Sequence, residues 1–201
     1  MLKISSKSKP PQFAFLCQPA SLAAPRLLGC EISRQLNGQL IRGKIVETEA
    51  YDQADAASHS YRGVTPRTEP MFGPAGFAYV YFSYGMHYCL NVVVGSAGYG
   101  AAVLIRALEP VEGLDLMHRN RGSKIKNDIN LCSGPAKLCQ AFAIGKSLSG
   151  HDLNRRPLQL IIKPPLENSQ IASSRRIGIS HASDKPWRFF IQNNRYVSPI
   201  H

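Results

Sequence analysis

The sequence is short of negative charge, of paired cysteines and of long apolar runs. Only 13 of its 201 residues are Asp or Glu against 24 Lys or Arg, a formal net charge of +11. That balance favours a polyanionic partner, with nucleic acid or an anionic membrane surface foremost. No apolar stretch approaches the roughly 18 residues of a membrane span. Candidates such as Leu90 to Val94 and Ala101 to Ile105 fall far short, so a soluble chain is expected. The basic first ten residues run into Pro10, Pro11 and Gln12, a poor match to a signal peptide. A cytoplasmic protein is therefore expected, nucleoid-associated in a bacterium, with a flexible N-terminus over residues 1–18. Five cysteines (17, 30, 89, 132 and 139) are odd in number and never form CxxC, which argues against a disulfide framework or a zinc ribbon. The histidines at 59, 87, 118, 151, 181 and 201 offer no HxxxH pair, and no metal site is expected. P-loop, GxGxxG and GxSxG motifs are also missing.

What is present is an ordinary folding composition, 44% hydrophobic and 18% charged. A chain of this length buries about 70% of its unfolded surface, enough for a self-sufficient core. No repeat or linker divides it, and residues 19–201 read as a single domain. Charge is distributed unevenly. Residues 1–110 carry 10 basic and 7 acidic residues, and the remainder carries 14 and 6. The second half is thus the electrostatic footprint for a polyanion. Glu47, Glu49, Asp52 and Asp55 form an acidic island, and seven of the eight tyrosines fall between Tyr51 and Tyr99. Carboxylates and phenols that gather in one third of the chain point to chemistry there.

Periodicity supplies a coarse fold. Leu27, Leu28, Ile32 and Leu36 fit one face of a helix that follows Pro25 and stops at Asn37-Gly38. The β-branched segment 39–51 reads as a strand, with Glu47, Glu49 and Tyr51 on one face and Val46, Thr48 and Ala50 on the other. Residues 52–76, dense in Gly, Pro, Ser and Thr, form a long loop that contains His59, Arg62, Arg67 and Met71. Residues 77–94 read as a hairpin turning at 84–86, and 101–108 as a further strand carrying Arg106. An antiparallel meander is the simplest arrangement. A short helix is expected around Leu114 and Met117, and another after Ser133-Gly134-Pro135, where free amides and Lys137 suit an anion. Strands are expected at 158–163 and 187–191. The fold class is α+β, a single domain with a mostly antiparallel curved sheet flanked by short helices.

Each candidate residue has a plain structural alternative. Glu49 is placed to act as a general base for water, although an isolated strand carboxylate is more often solvated. Tyr51 faces the same way and can wall a pocket or serve as a half-buried aromatic. Tyr79 and Tyr81 share a strand face, and Tyr84 at the turn can wedge between bases or simply sit exposed. Lys137 fits a phosphate contact better than a Schiff-base nucleophile.

Read together, VETEAY (46–51), HSYRGVTPR (59–67), MFGPAGFAYVYFSYGMHYCLNVV (71–93), LIRALEP (104–110), LCSGPAKLCQAF (131–142) and RIGISHA (176–182) resemble the alkyladenine, or 3-methyladenine, DNA glycosylase family. The resemblance is ordered and covers most of the chain from about residue 20. It implies a base excision repair enzyme that flips damaged purines out of double-stranded DNA and hydrolyses the N-glycosidic bond, leaving an abasic site. By this resemblance Glu49 is the catalytic carboxylate that activates water, and Arg106 steadies it. Tyr51, His59 and Tyr81 wall the base pocket. Asn91 crowds the 2-amino group of guanine, and Tyr84 fills the gap left by the flipped base. Ser133 and Lys137 serve DNA backbone contact. No metal or organic cofactor and no membrane are implied, and a monomer is expected. Residues 119–130 and the last twenty match only loosely, and Glu47 receives no role. Two other readings of the composition are a non-catalytic nucleic-acid-binding protein and an enzyme for free nucleotides or nucleosides.

Overall fold

Thirteen residues from Gln39 to Tyr51, rich in Ile, Val and Thr, favour extended backbone. In the computed structural model, which describes residues 11–83, 85–122 and 125–199, they form the longest strand and the spine of the sheet. In chain order the strands are β1 (Glu31–Leu36), β2 (Gln39–Tyr51), β3 (Ala78–Ser83), β4 (His87–Val93), β5 (Ala102–Glu112), β6 (Leu158–Ile161), β7 (Ile171–Ser174) and β8 (Arg188–Ile191). The helices are α1 (Ala20–Arg26), α2 (Leu114–Arg121) and α3 (Pro135–Ala141). All strand pairs are antiparallel, in the order β3-β4-β5-β2-β1-β6. The pair β7-β8 joins along β8 to β2. The sheet is curled and the class is α+β, as the sequence suggests. The meander holds for β3, β4 and β5, whose next neighbour is β2.

The helix expected over Leu27 to Leu36 is not there. Helix α1 ends at Arg26, and Glu31–Leu36 pairs as β1 with β2. The reason lies in Asn37-Gly38, which turns the chain with φ of 49° and 79°. Two successive positive φ values make the tight turn that suits an antiparallel hairpin, and Asn-Gly is its favoured sequence. The same dipeptide also ends helices, so the local signal fits both. The packed chain also begins earlier than residue 19. Residues Pro11–Cys17 make a 3-10 turn that buries Phe13 and Leu16, each contributing about 1.5–3 kcal/mol. The first ten residues lie outside the described set.

The expected hairpin and second-half elements appear with small shifts, as β3-β4, β5, α2, α3, β6 and β8. Strand β7 carries no expectation from the sequence. The core lies between the sheet and α1, α2 and α3, where Leu27, Ile32, Ile45, Ile105, Leu108, Leu138 and Phe142 are buried. From Ile45 to Ala50 strand β2 is buried on both faces. Helix α1 covers one side, where the Thr48 hydroxyl donates to the Ala24 carbonyl at 3.0 Å. Among the described residues no helix is long and apolar enough to cross a membrane.

Candidate active site

The other face of β2 looks into a cavity of about 460 Å³. Its floor follows from strand register. Glu49 on β2 pairs with Leu104 on β5, Leu104 with Asn91 on β4, and Asn91 with Tyr79 on β3. All four side chains of that cross-strand row line the cavity. Two residues along β3 and β4, on the same face, Tyr81 and Cys89 are themselves partners and extend the floor. Alternation with a period of two puts such rows on one side of a sheet without any further device.

Arg106 does need a device. Between β2 and β5 the register slips, so that Glu47 pairs with Ala107 and Thr48 with Ile105. Arg106 is skipped. This β-bulge bends the strand and re-aims the side chain, a recurrent use of bulges beside sites. The guanidinium lands between the two buried carboxylates, with Nε donating to Glu47 Oε1 at 2.9 Å and Nη1 lying 3.2 Å from Glu49 Oε1. Burial acts to lower the Arg106 pKa, but Glu49 and Glu47 outweigh it and hold the pKa above its ordinary value.

Glu49 is fully buried yet reaches the cavity. Its Oε1 accepts from the Ile177 amide at 2.8 Å, and its Oε2 accepts from the Tyr51 hydroxyl at 2.9 Å. A carboxylate has about four acceptor positions, so these two donors and Arg106 leave room for one more, such as a water. Burial first, then the Glu49 charge, pushes the Tyr51 pKa far up, so this phenol remains a donor.

The long loop returns His59 to the sheet. Ser60 donates to the Gly100 carbonyl at 2.7 Å, and Gly100 is obligatory because an added Cβ would lie 2.5 Å from Ser60 Cβ. Next to this anchor, His59 stands at the cavity rim with its Nδ1 3.0 Å from the Tyr79 hydroxyl. Its ring meets Tyr81 edge-on at 4.4 Å. Burial against these rings, then the Arg67 charge, lowers its pKa to about 4, which keeps the imidazole neutral at neutral pH. Burial raises the Tyr79 pKa to about 12 and pushes that of Tyr81 higher still. Arg67 itself sits 5.6 Å over the Tyr81 ring, within cation–π range.

A further wall is the segment of residues 177–181, held by the preceding Arg176. That guanidinium is buried and ion-paired with fully buried Asp55. It also donates to the Ala50 carbonyl at 2.9 Å and the Ala182 carbonyl at 3.0 Å. Its carbon lies 4.7 Å from the Tyr51 ring centre and 5.4 Å from that of Trp187.

The structure thus brings Glu49, Tyr51, His59, Tyr81, Asn91 and Arg106 around one cavity. Asn91 commits one amide hydrogen to the Tyr79 carbonyl at 3.0 Å. Ser133 and Lys137 do not line the cavity; they bond to each other at 3.4 Å on either side of Pro135, which does. Tyr84 lies outside the described residues, between Ser83 and Gly85 at the β3-β4 turn. Sequence reasoning does not find Ile177, because a main-chain amide has no side-chain signature. It also does not find the Arg176–Asp55 pair, whose members are 121 residues apart.

Comparison with known proteins now bears on this geometry. The profile of the methylpurine-DNA glycosylase family matches residues 14–195. A protein of Carboxydothermus hydrogenoformans provisionally named as a 3-methyladenine DNA glycosylase is 52% identical, over 92% of this chain and 96% of its own length. Similarly named proteins of Methanoculleus marisnigri and Nitrosospira multiformis are 47% and 49% identical, over 92% and 79% of this chain and 96% and 80% of theirs. Every cavity residue named above falls within the matched span, and with that span covering nearly the whole chain, this protein belongs to the methylpurine-DNA glycosylase family.

Proposed function

We propose that this DNA glycosylase hydrolyses the N-glycosidic bond of alkylated purines such as 3-methyladenine, flipped from duplex DNA into the cavity, and leaves an abasic site. The observation that carries the reading is Glu49: a fully buried carboxylate, held on three sides, at the floor of a cavity walled by tyrosine rings. Flipping costs a few kcal/mol, which stacking on Tyr51, Tyr81 and His59 offsets. An alkylated purine that carries positive charge gains further from the electron-rich ring faces. Asn91 beside the stacked base then disfavours an added 2-amino group. Tyr84, by its place in the sequence, supplies the wedge.

The chemistry balances without a cofactor. Water bonds to C1′ through its oxygen as the C1′–N bond breaks, and the bond's electron pair leaves with the base. Glu49 takes the water proton. A cationic alkylpurine becomes neutral on departure and needs no acid. Neutral His59 lies with Nδ1 3.0 Å from the Tyr79 hydroxyl, and in the tautomer that accepts there its Nε2–H is available for orienting the nucleotide. No lysine is among the described lining residues, which favours water over a Schiff-base nucleophile and so a monofunctional enzyme.

The test is single-turnover base release from methylated duplex DNA by wild type and Glu49→Gln, with DNA affinity measured alongside. Release by wild type and loss of about two to four orders of magnitude in the variant, at unchanged affinity, is expected. Equal rates, or a borohydride-trapped covalent adduct in wild type, would overturn the mechanism.

A further inference from the structure

Glu47 lies two residues before Glu49, does not line the cavity, and is nevertheless fully buried. A buried carboxylate costs several kcal/mol unless every lone pair is used. Here they are used by residues remote in sequence. Glu47 Oε1 accepts from Arg106 Nε at 2.9 Å, Arg188 Nε at 2.6 Å and the Ser198 hydroxyl at 2.9 Å. Its Oε2 accepts from the Ser198 amide at 2.7 Å. The Ser198 oxygen in turn accepts from Arg106 Nη2 at 3.4 Å.

All three nitrogens of Arg106 are therefore assigned: Nε to Glu47, Nη1 to Glu49 and Nη2 to Ser198. Only one of its arms leans on Glu49. Two carboxylates and two guanidiniums close as a charge-balanced set of four. Without Glu47, both guanidiniums would have Glu49 as the nearest anion of that set. Arg106 would then be free to swing toward Glu49 and cover the acceptor position that faces the cavity.

We infer that Glu47 and Ser198 are positioning residues: they hold Arg106 to a single contact with Glu49, so that Ser198 completes an active site whose cavity it does not line. This rests on the reading of Glu49 as the base.

The experiment measures three quantities on each variant: single-turnover base release, affinity for uncleaved methylated duplex, and melting temperature. Glu47→Gln leaves one buried positive charge in excess and should lose both stability and rate. Adding Arg188→Gln restores neutrality and should recover much of the melting temperature. The double variant should still release base at least about tenfold more slowly than wild type, with affinity within about twofold, as expected for a displaced catalytic group. Ser198→Ala removes no charge and should melt near wild type while releasing base a few-fold more slowly. A double variant whose rate recovers with its stability would show a purely structural role and overturn the inference. If Glu47→Gln does not fold, Ser198→Ala decides: wild-type rates in that variant overturn the inference. A wild-type chain that releases no base overturns the underlying reading as well, and is thereby distinguished from failure of the positioning role alone.

Discussion

The floor and the wall of the cavity are built on different principles. The floor is a row of cross-strand partners, Tyr79, Asn91, Leu104 and Glu49, carried by four hydrogen-bonded strands. Its geometry is distributed over many ladder bonds, so no single side chain sets it. The wall is loop, drawn from residues 56–59 and 177–181. It depends on one buried pair, Arg176 and Asp55, joined to two main-chain carbonyls. A distributed structure tolerates the loss of one member, and a concentrated one does not.

The sharpest way to break that contrast is Arg176→Met, which leaves Asp55 buried with only Lys185, at 3.9 Å, as a cation among the described residues. Removing one partner of a buried pair costs about 3–5 kcal/mol. Urea unfolding should show that loss. Base release should fall further than stability alone explains, because Ile177, the next residue, donates to Glu49. On the floor, Leu104→Ala enlarges an existing cavity and should cost about 2–3 kcal/mol, toward the low end for a buried leucine. Its base release should stay within a few-fold of wild type at a temperature where both are folded. If the floor variant proves the more damaging to activity, the contrast fails.

The same contrast governs what the sequence reveals. Floor residues are legible because alternation along a strand needs only neighbours: Glu49 with Tyr51, and Tyr79 with Tyr81, fall on shared faces as the pattern requires. Resemblance to a family then adds roles for His59, Asn91 and Arg106, which local physics alone leaves open. The wall is not legible in this way. Arg176 meets Asp55, and Ser198 meets Glu47, across more than a hundred residues each. Nor does spacing announce the bulge that turns Arg106 inward, since the slip concerns the partner strand as much as its own.

His59 tests the wall through pH rather than through a lost contact. Its folded pKa, about 4, lies below the ordinary histidine value of 6.5. The unfolded chain therefore binds a proton first as pH falls. Stability should drop between pH 6.5 and about 4, and this contribution should be fully present only above that window. His59→Gln should flatten that part of the stability profile. Arg67→Gln should raise the His59 pKa, because the Arg67 charge is the second cause of its depression after burial. An NMR titration of the imidazole would show this, and an unmoved pKa would assign the depression to burial alone.

The smallest effect is expected away from the cavity lining, at the Asn37-Gly38 turn. Asn37 has φ of 49°, a conformation that asparagine tolerates and residues with an ordinary β-carbon resist by about 1–2 kcal/mol. Asn37→Ala should therefore lower stability by about 1 kcal/mol. It should leave base release unchanged, because the sheet carries the floor independently of this turn. Asn37→Gly should be nearly neutral, since glycine adopts positive φ freely. The pair separates turn chemistry from helix capping, the other use of the same dipeptide. If β1 were helical in solution, Asn37→Ala would extend the helix rather than strain a turn, and stability would hold or rise. A loss with alanine and its absence with glycine would fix the hairpin, and with it the edge against which β2 begins its run toward Glu49.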